Sequence, residues 1–206
     1  MILQGTVGQQ LTGDGATPPQ GVRQGKLGDM IVSELHGKYY EQAVRGNLFI
    51  ASNVAAQAVS VALTTTYTGL CLSNPLGSTK NLVLLGGQYA LSVAPAAIAS
   101  LHLIGGYSAT TNVTHTTPLA APGIQNCLLG TGAAGSAKVD SASTIVNPGY
   151  IMGLGSGFTA AALYSTTPLW IDFAGLVVLP PGAWVAWGAL TAVTGFATLA
   201  WEEVPI

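Results

Sequence analysis

Ala183-Trp-Val-Ala-Trp187 and Val193-Thr-Gly-Phe-Ala-Thr-Leu-Ala-Trp201 close a stretch, residues 173–201, in which no side chain is charged. A hydropathy window would flag such a stretch as a membrane-spanning helix. Its residues argue against a helix. Pro180-Pro-Gly182 would break one in the middle, and the Trp, Val, Phe and Thr on either side are strand formers. The same pattern extends back through the chain. Leu169-Trp-Ile-Asp-Phe173, Leu176-Val-Val-Leu179, Ala99-Ser-Leu-His-Leu-Ile104, Asn81-Leu-Val-Leu-Leu85, Tyr67-Thr-Gly-Leu-Cys-Leu72 and Gln57-Ala-Val-Ser-Val-Ala-Leu63 are short apolar or β-branched runs. Ser73-Asn-Pro-Leu-Gly-Ser78, Gly86-Gly87, Gly105-Gly106, Gly130-Thr-Gly132 and Pro180-Pro-Gly182 read as turns between them. Eight or more short strands at this spacing imply an all-β chain, an antiparallel β-sandwich built as a jelly roll. Two smaller β-domains divided near residue 110 are the alternative. Residues 94–99 and 160–163 are Ala-rich but too short for stable helices, and residues 108–149, rich in Thr, Ser, Gly, Ala and Pro, read mostly as a long loop.

The chain has 206 residues, enough for one domain. Hydrophobic residues make up 49% of it and charged residues only 7%, against a usual ~25%. That balance excludes intrinsic disorder. Six Lys+Arg against eight Asp+Glu also exclude broad electrostatic capture of nucleic acid. So sparse a charge implies a surface covered by copies of the chain or by partners.

Charge also divides the chain. Arg23, Lys26, Lys38, Arg45, Asp14, Asp29, Glu34 and Glu41 put eight of the fourteen charges in residues 1–46, read as an extended N-terminal arm before a sandwich over residues 47–206. The arm is too polar to build a core of its own, so it is expected to order on a partner. Ile31, Leu35 and Tyr39 alternate imperfectly with Glu34, His36 and Lys38, a pattern suited to adding a strand to a neighbour's sheet edge. Arg23, Lys26, Lys38 and Arg45 would then pair with acidic groups there. Alternatively, residues 30–49 are the first strand of the same sandwich. The start of the chain has no basic segment followed by an apolar one, so no signal peptide and no membrane anchor is expected.

Chemistry-bearing residues are few. His36, His102 and His115 are well separated, and His102, between leucines, reads as structural. Gly153-Leu-Gly-Ser-Gly157 does not centre its serine as a nucleophile elbow does, and residues 130–138 lack the Gly-Lys-Ser/Thr ending of a phosphate loop. Adjacent Glu202 and Glu203 point to opposite faces of a strand, a poor catalytic pair. No catalytic, metal or cofactor-binding residue is assigned, and the chain reads as a non-enzyme. Cys71 and Cys127 read as buried, reduced small hydrophobes. All four tryptophans fall in the last 37 residues. Trp184 and Trp187, three apart, face opposite sides of one strand. Either both are absorbed between two sheets and a covering loop, or one meets a sugar or a neighbouring chain.

The segment Gly28-Asp-Met-Ile-Val-Ser-Glu-Leu-His-Gly-Lys-Tyr-Tyr-Glu-Gln-Ala-Val-Arg-Gly-Asn-Leu-Phe49 resembles the opening of a group of structural proteins of tailed-phage virions. Leu72-Ser-Asn-Pro-Leu-Gly-Ser-Thr-Lys-Asn-Leu-Val83 is similar to a turn of phage virion jelly rolls, and Val178-Leu-Pro-Pro-Gly182 and Trp201-Glu-Glu-Val-Pro205 continue the likeness. The resemblance implies a virion component assembled in the host cytoplasm. As a function it suggests a capsid decoration or cement subunit that self-associates, with a trimer favoured, and staples the major capsid protein or other virion subunits. A receptor- or glycan-binding module of a tail or fibre, and a subunit of a protein filament, are the alternatives.

Overall fold

The computed structural model describes residues 37–59, 69–93, 95, 99–107, 113–119, 123–130, 135–146, 148–158, 169–189 and 191–206. The chain divides into two compact units, Met1–Tyr40 and Glu41–Ile206. The second holds every described strand, so there is no division near residue 110. Its strands are β1 (Leu48–Ser52), β2 (Gln57–Val59), β3 (Cys71–Ser73), β4 (Lys80–Leu91), β5 (Ala99–Gly106), β6 (Val113–Pro118) and β7 (Ile124–Asn126). They continue as β8 (Lys138–Ile145), β9 (Gly149–Phe158), β10 (Leu169–Asp172), β11 (Val178–Leu179), β12 (Trp184–Ala189) and β13 (Val193–Pro205). Among the described residues there is one short helix, α1 (Tyr40–Val44), with no buried residue. No helix among the described residues is long and apolar enough to cross a membrane.

Two antiparallel sheets pack against each other as a sandwich. One runs β10–β4–β13–β1–β7, with β11 also on β4 and β2 also on β13; the other runs β6–β8–β3–β12–β5–β9. Trp187 of β12 bridges them, its ring 6.0 Å from that of Tyr89 on β4. Phe49 of β1 stacks on Trp201 of β13 at 5.9 Å inside the same core.

The two sheets differ in how many faces they bury. Along β13, buried and partly exposed residues alternate, which is the signature of a sheet with one covered face. On β12 all six residues are buried, Trp184 and Ala186 as fully as Val185 and Trp187. Register places Cys71, Ile104 and Ala186 on the face turned away from Trp187, and all three are fully buried. The six-stranded sheet is therefore covered on both faces at its centre.

Two glycine pairs expected in turns lie in strands. Gly86 and Gly87 sit in the middle of β4, and each makes room for a tryptophan. A Cβ on Gly87 would come within 2.8 Å of the Trp187 ring on the core side, and one on Gly86 within 2.3 Å of the Trp170 ring on the outer side. Gly106, near the end of β5, likewise lies under Trp184. A glycine inside a strand often marks such a close approach rather than a chain reversal.

The described residues between 113 and 149 are mostly strand, not the loop expected of them. They contain β6, β7 and β8, of which β6 and β8 extend the six-stranded sheet past β3 while β7 extends the other past β1. Thr, Val and Ile give these segments strand propensity that their Ser and Gly content obscures.

Candidate functional site

Among the residues expected to meet a partner, Arg23, Lys26, Ile31 and Leu35 lie outside the described residues. Lys38, Tyr39 and Arg45 are exposed, with the Lys38 ammonium 5.0 Å from the centroid of the Tyr39 ring. From Gly37 to Gly46 the backbone is turn and helix, not strand. The Tyr40 N–H donates to the Gly37 carbonyl and the Arg45 N–H to that of Glu41. Glu41 favours the helix start, and Gly46, with φ +73°, ends the turn. Among the described residues strand pairing begins at Leu48, so the reading of residues 30–49 as one first strand fails over residues 37–47.

Trp184 and Trp187 do face opposite sides of β12, but both are buried, at 1% and 0% exposure. Neither is an outward platform for a sugar or a neighbouring chain, because the second face of their sheet is itself covered. The exposed tryptophan is Trp170, at 50%. Cys71 is buried as expected, whereas Cys127 is exposed; both are free thiols.

Four of the sequence segments singled out above meet at one corner of the sandwich. Asn74, fully buried, is their hub. Its backbone N–H donates to the Ala183 carbonyl at 2.8 Å, its carbonyl accepts from the Gly182 N–H at 2.8 Å, and its amide donates to the carbonyls of Lys80 and Leu179 at 2.8 and 2.9 Å. Asn74-Pro75 and Pro180-Pro-Gly182 are thus two halves of one crossing, with Gly182 at φ +90°. Lys80 then reaches the buried Glu203 carboxylate at 2.9 Å. The other oxygen of Glu203 accepts from the N–H groups of Ser136 and Ala137 at 2.7 and 3.1 Å, and the Glu203 N–H donates to the Asn47 carbonyl. A buried carboxylate with one cation and two amide donors is compensated, which an isolated buried charge is not.

Beside this corner a cleft of about 320 Å3 is lined by His115, Pro118 and Leu119 around β6, Ile124 of β7, and residues 137–140 around β8. Asp140 is its most chemically charged feature. The carboxylate is wholly buried, one oxygen meets Nδ1 of His115, and the other has no hydrogen-bond partner. Burial pushes the carboxyl above the ordinary carboxylate range, with His115 and then Lys138 pulling the other way. A histidine oriented by a carboxylate is the usual frame of a general base. The thiol opposite Asp140 is no nucleophile, however. Burial pushes Cys71 up to about 12, so it stays protonated. His102 is held by Ser100 at 3.1 Å, its ring is tilted against that of Tyr150 at 5.1 Å, and burial lowers its pKa. Among the described residues no group of three or more His, Cys, Asp or Glu is placed to hold a metal ion.

Sequence reasoning missed Asn74 as a hub and the pairing of His115 with Asp140. Asn-Pro in a turn was a usable signal for the first; two residues 25 apart in a Ser/Thr-rich stretch offered none for the second. No family model matches the chain, and neither does any curated protein or solved structure.

Proposed function

We propose that the chain is a non-enzymatic virion building block, a capsid decoration or cement subunit that self-associates, and that its sandwich is a jelly roll. Strand order carries this reading. With β1, β3, β4, β5, β9, β10, β12 and β13 numbered one to eight, the sheets run 6-3-8-1 and 2-7-4-5. That order supports the double Greek key of a jelly roll, the architecture of many viral capsid domains. The three strands left between the fourth and fifth, β6 to β8, form an insertion that widens both sheets along one side. A fold does not by itself assign a function. The charge-poor body and the likeness of residues 28–49 and 72–83 to tailed-phage virion proteins add the remaining support.

Immunogold labelling tests the proposal on particles purified from a culture that produces the chain. Labels repeating over the capsid are expected. Labelling confined to the tail tip would favour a receptor-binding module instead, and unlabelled particles would overturn the virion reading. Deleting residues 1–40 tests the arm: a soluble, cooperatively melting product that no longer joins particles makes the arm the connector, whereas aggregate alone makes it part of the core.

A further inference from the structure

We propose that the outer face of the seven-stranded sheet is where a second copy of this chain docks, face to face across a two-fold axis. The proposal rests on the self-associating subunit just described and names the surface that reading leaves open. The inner face of this sheet is buried in the sandwich; its outer face is open over β10, β11, β4 and the middle of β13, whereas Leu48 at its β1 end is buried. Trp170, Val178 and Phe196 stand on that outer face at 50%, 47% and 41% exposure.

Three properties fit a copy of the chain. The first is charge. Among the described residues on this face only Asp172 and Glu202 ionise, and the half bearing Trp170, Gln88, Thr198 and Phe196 has no charge at all. Burying such a half against an equally neutral copy strands no ion and needs no complementary partner. The second is size. The seven strands hold 42 residues at about 3.3 Å by 4.8 Å each, on the order of 650 Å2 for the whole face, Asp172 and Glu202 included. A stable interface buries about that much on each partner. The third is preorganisation. The Trp170 ring rests on Gly86, so this anchor gives up little side-chain freedom on docking, and tryptophan is enriched at binding hot spots.

Register also suggests where the axis lies. Trp170 and Phe196 are two strands and one same-face step apart, about 12 Å. A two-fold axis in the plane of the face, midway between them, sets Trp170 of each copy over Phe196 of the other and passes between Gln88 and Thr198. Each Gln88 then lies close to its own symmetry mate.

Light scattering on the full-length chain and two charge variants, Gln88→Lys and Gln88→Glu, tests this. The expected result is a wild-type dimer, a mass halved in each variant alone, wild-type melting in both, and the dimer mass regained when the variants are mixed. If either variant keeps the wild-type mass, the contact lies elsewhere: the proposal fails while the self-associating subunit stands. A monomeric wild type removes both, and a trimer removes the two-fold contact alone. Should a Gln88 variant fail to fold, Phe196→Asp reads the same contact from its far end. A monomeric wild type whose glycan-array signal is lost in Trp170→Ala would hand the face to a carbohydrate and overturn the proposal.

Discussion

The two sheets of this sandwich use the same residue types to opposite ends. At its centre the six-stranded sheet is buried on both sides, and β12 reads Trp-Val-Ala-Trp-Gly-Ala with no polar side chain. The seven-stranded sheet is buried on one side, and β13 alternates accordingly, Ala197, Leu199 and Trp201 inward and Thr198, Ala200 and Glu202 outward. A continuous apolar run marks a strand with two covered faces, and alternation marks one with a free face. In a chain with so few charges the free face is the unusual one, because it is kept polar by Thr, Ser and Gln rather than by ions.

Trp187 gives the largest test of that contrast. Trp187→Ala empties the space between the sheets and should cost about 3–5 kcal/mol in chemical denaturation. A cost below about 1 kcal/mol would mean that the sheets are not locked together at this point. Glu203 comes next, because it is the carboxylate turned inward from the open-faced sheet. Glu203→Ala leaves Lys80 and two amides without their acceptor and should cost about 2–4 kcal/mol, while Glu203→Gln keeps an acceptor for the amides and should cost less. Equal losses in the two variants would assign the effect to packing.

Gly87→Ala sharpens the comparison within one strand. Its methyl would meet the Trp187 ring at 2.8 Å and the Thr198 carbonyl at 2.9 Å, and overpacking of this kind costs about 1–3 kcal/mol. The smallest effect concerns the doubly buried sheet and appears as a slope. Asp140 is raised above its unfolded value of 3.8, so the folded state holds its proton more tightly than the unfolded state does. Its contribution is complete below that value and is lost as pH rises through the folded pKa. Asp140→Asn should flatten the fall in stability over this window and change stability by about 1 kcal/mol or less at its acid end. An unchanged pH profile would remove Asp140 as its source.

Much of the fold was legible because periodicity and turn chemistry are local. The runs around residues 81–85, 99–104, 169–173 and 193–201 are all strands, and the chain is a sandwich. What failed was context. Gly86-Gly87 looked like a turn because glycine is common in turns, and only the tryptophans that rest on it, one from β10 and one from β12, show why it lies mid-strand. Trp184 looked like a surface candidate because a strand has two sides, and nothing local says that both are covered. The candidate cleft was less legible still. Its walls come from β6, β7 and β8, which read as loop, and its polar pair joins strands that no spacing links.

The place of β13 in the sheet bears on how the chain reaches its fold. This strand, the last in sequence order, lies between β4 and β1, and its register with β4 spans residues 195–205 against 80–91. As the ribosome extends the chain, β4 and β1 wait with unpaired edges until more than a hundred further residues have been made. Late, long-range pairing of this kind is slow, on the order of milliseconds to seconds, and leaves apolar strand edges open to other chains meanwhile. Crowded synthesis of many copies is therefore the condition under which this molecule is most exposed to misassembly, and chaperone supply should govern its soluble yield more than its final stability does.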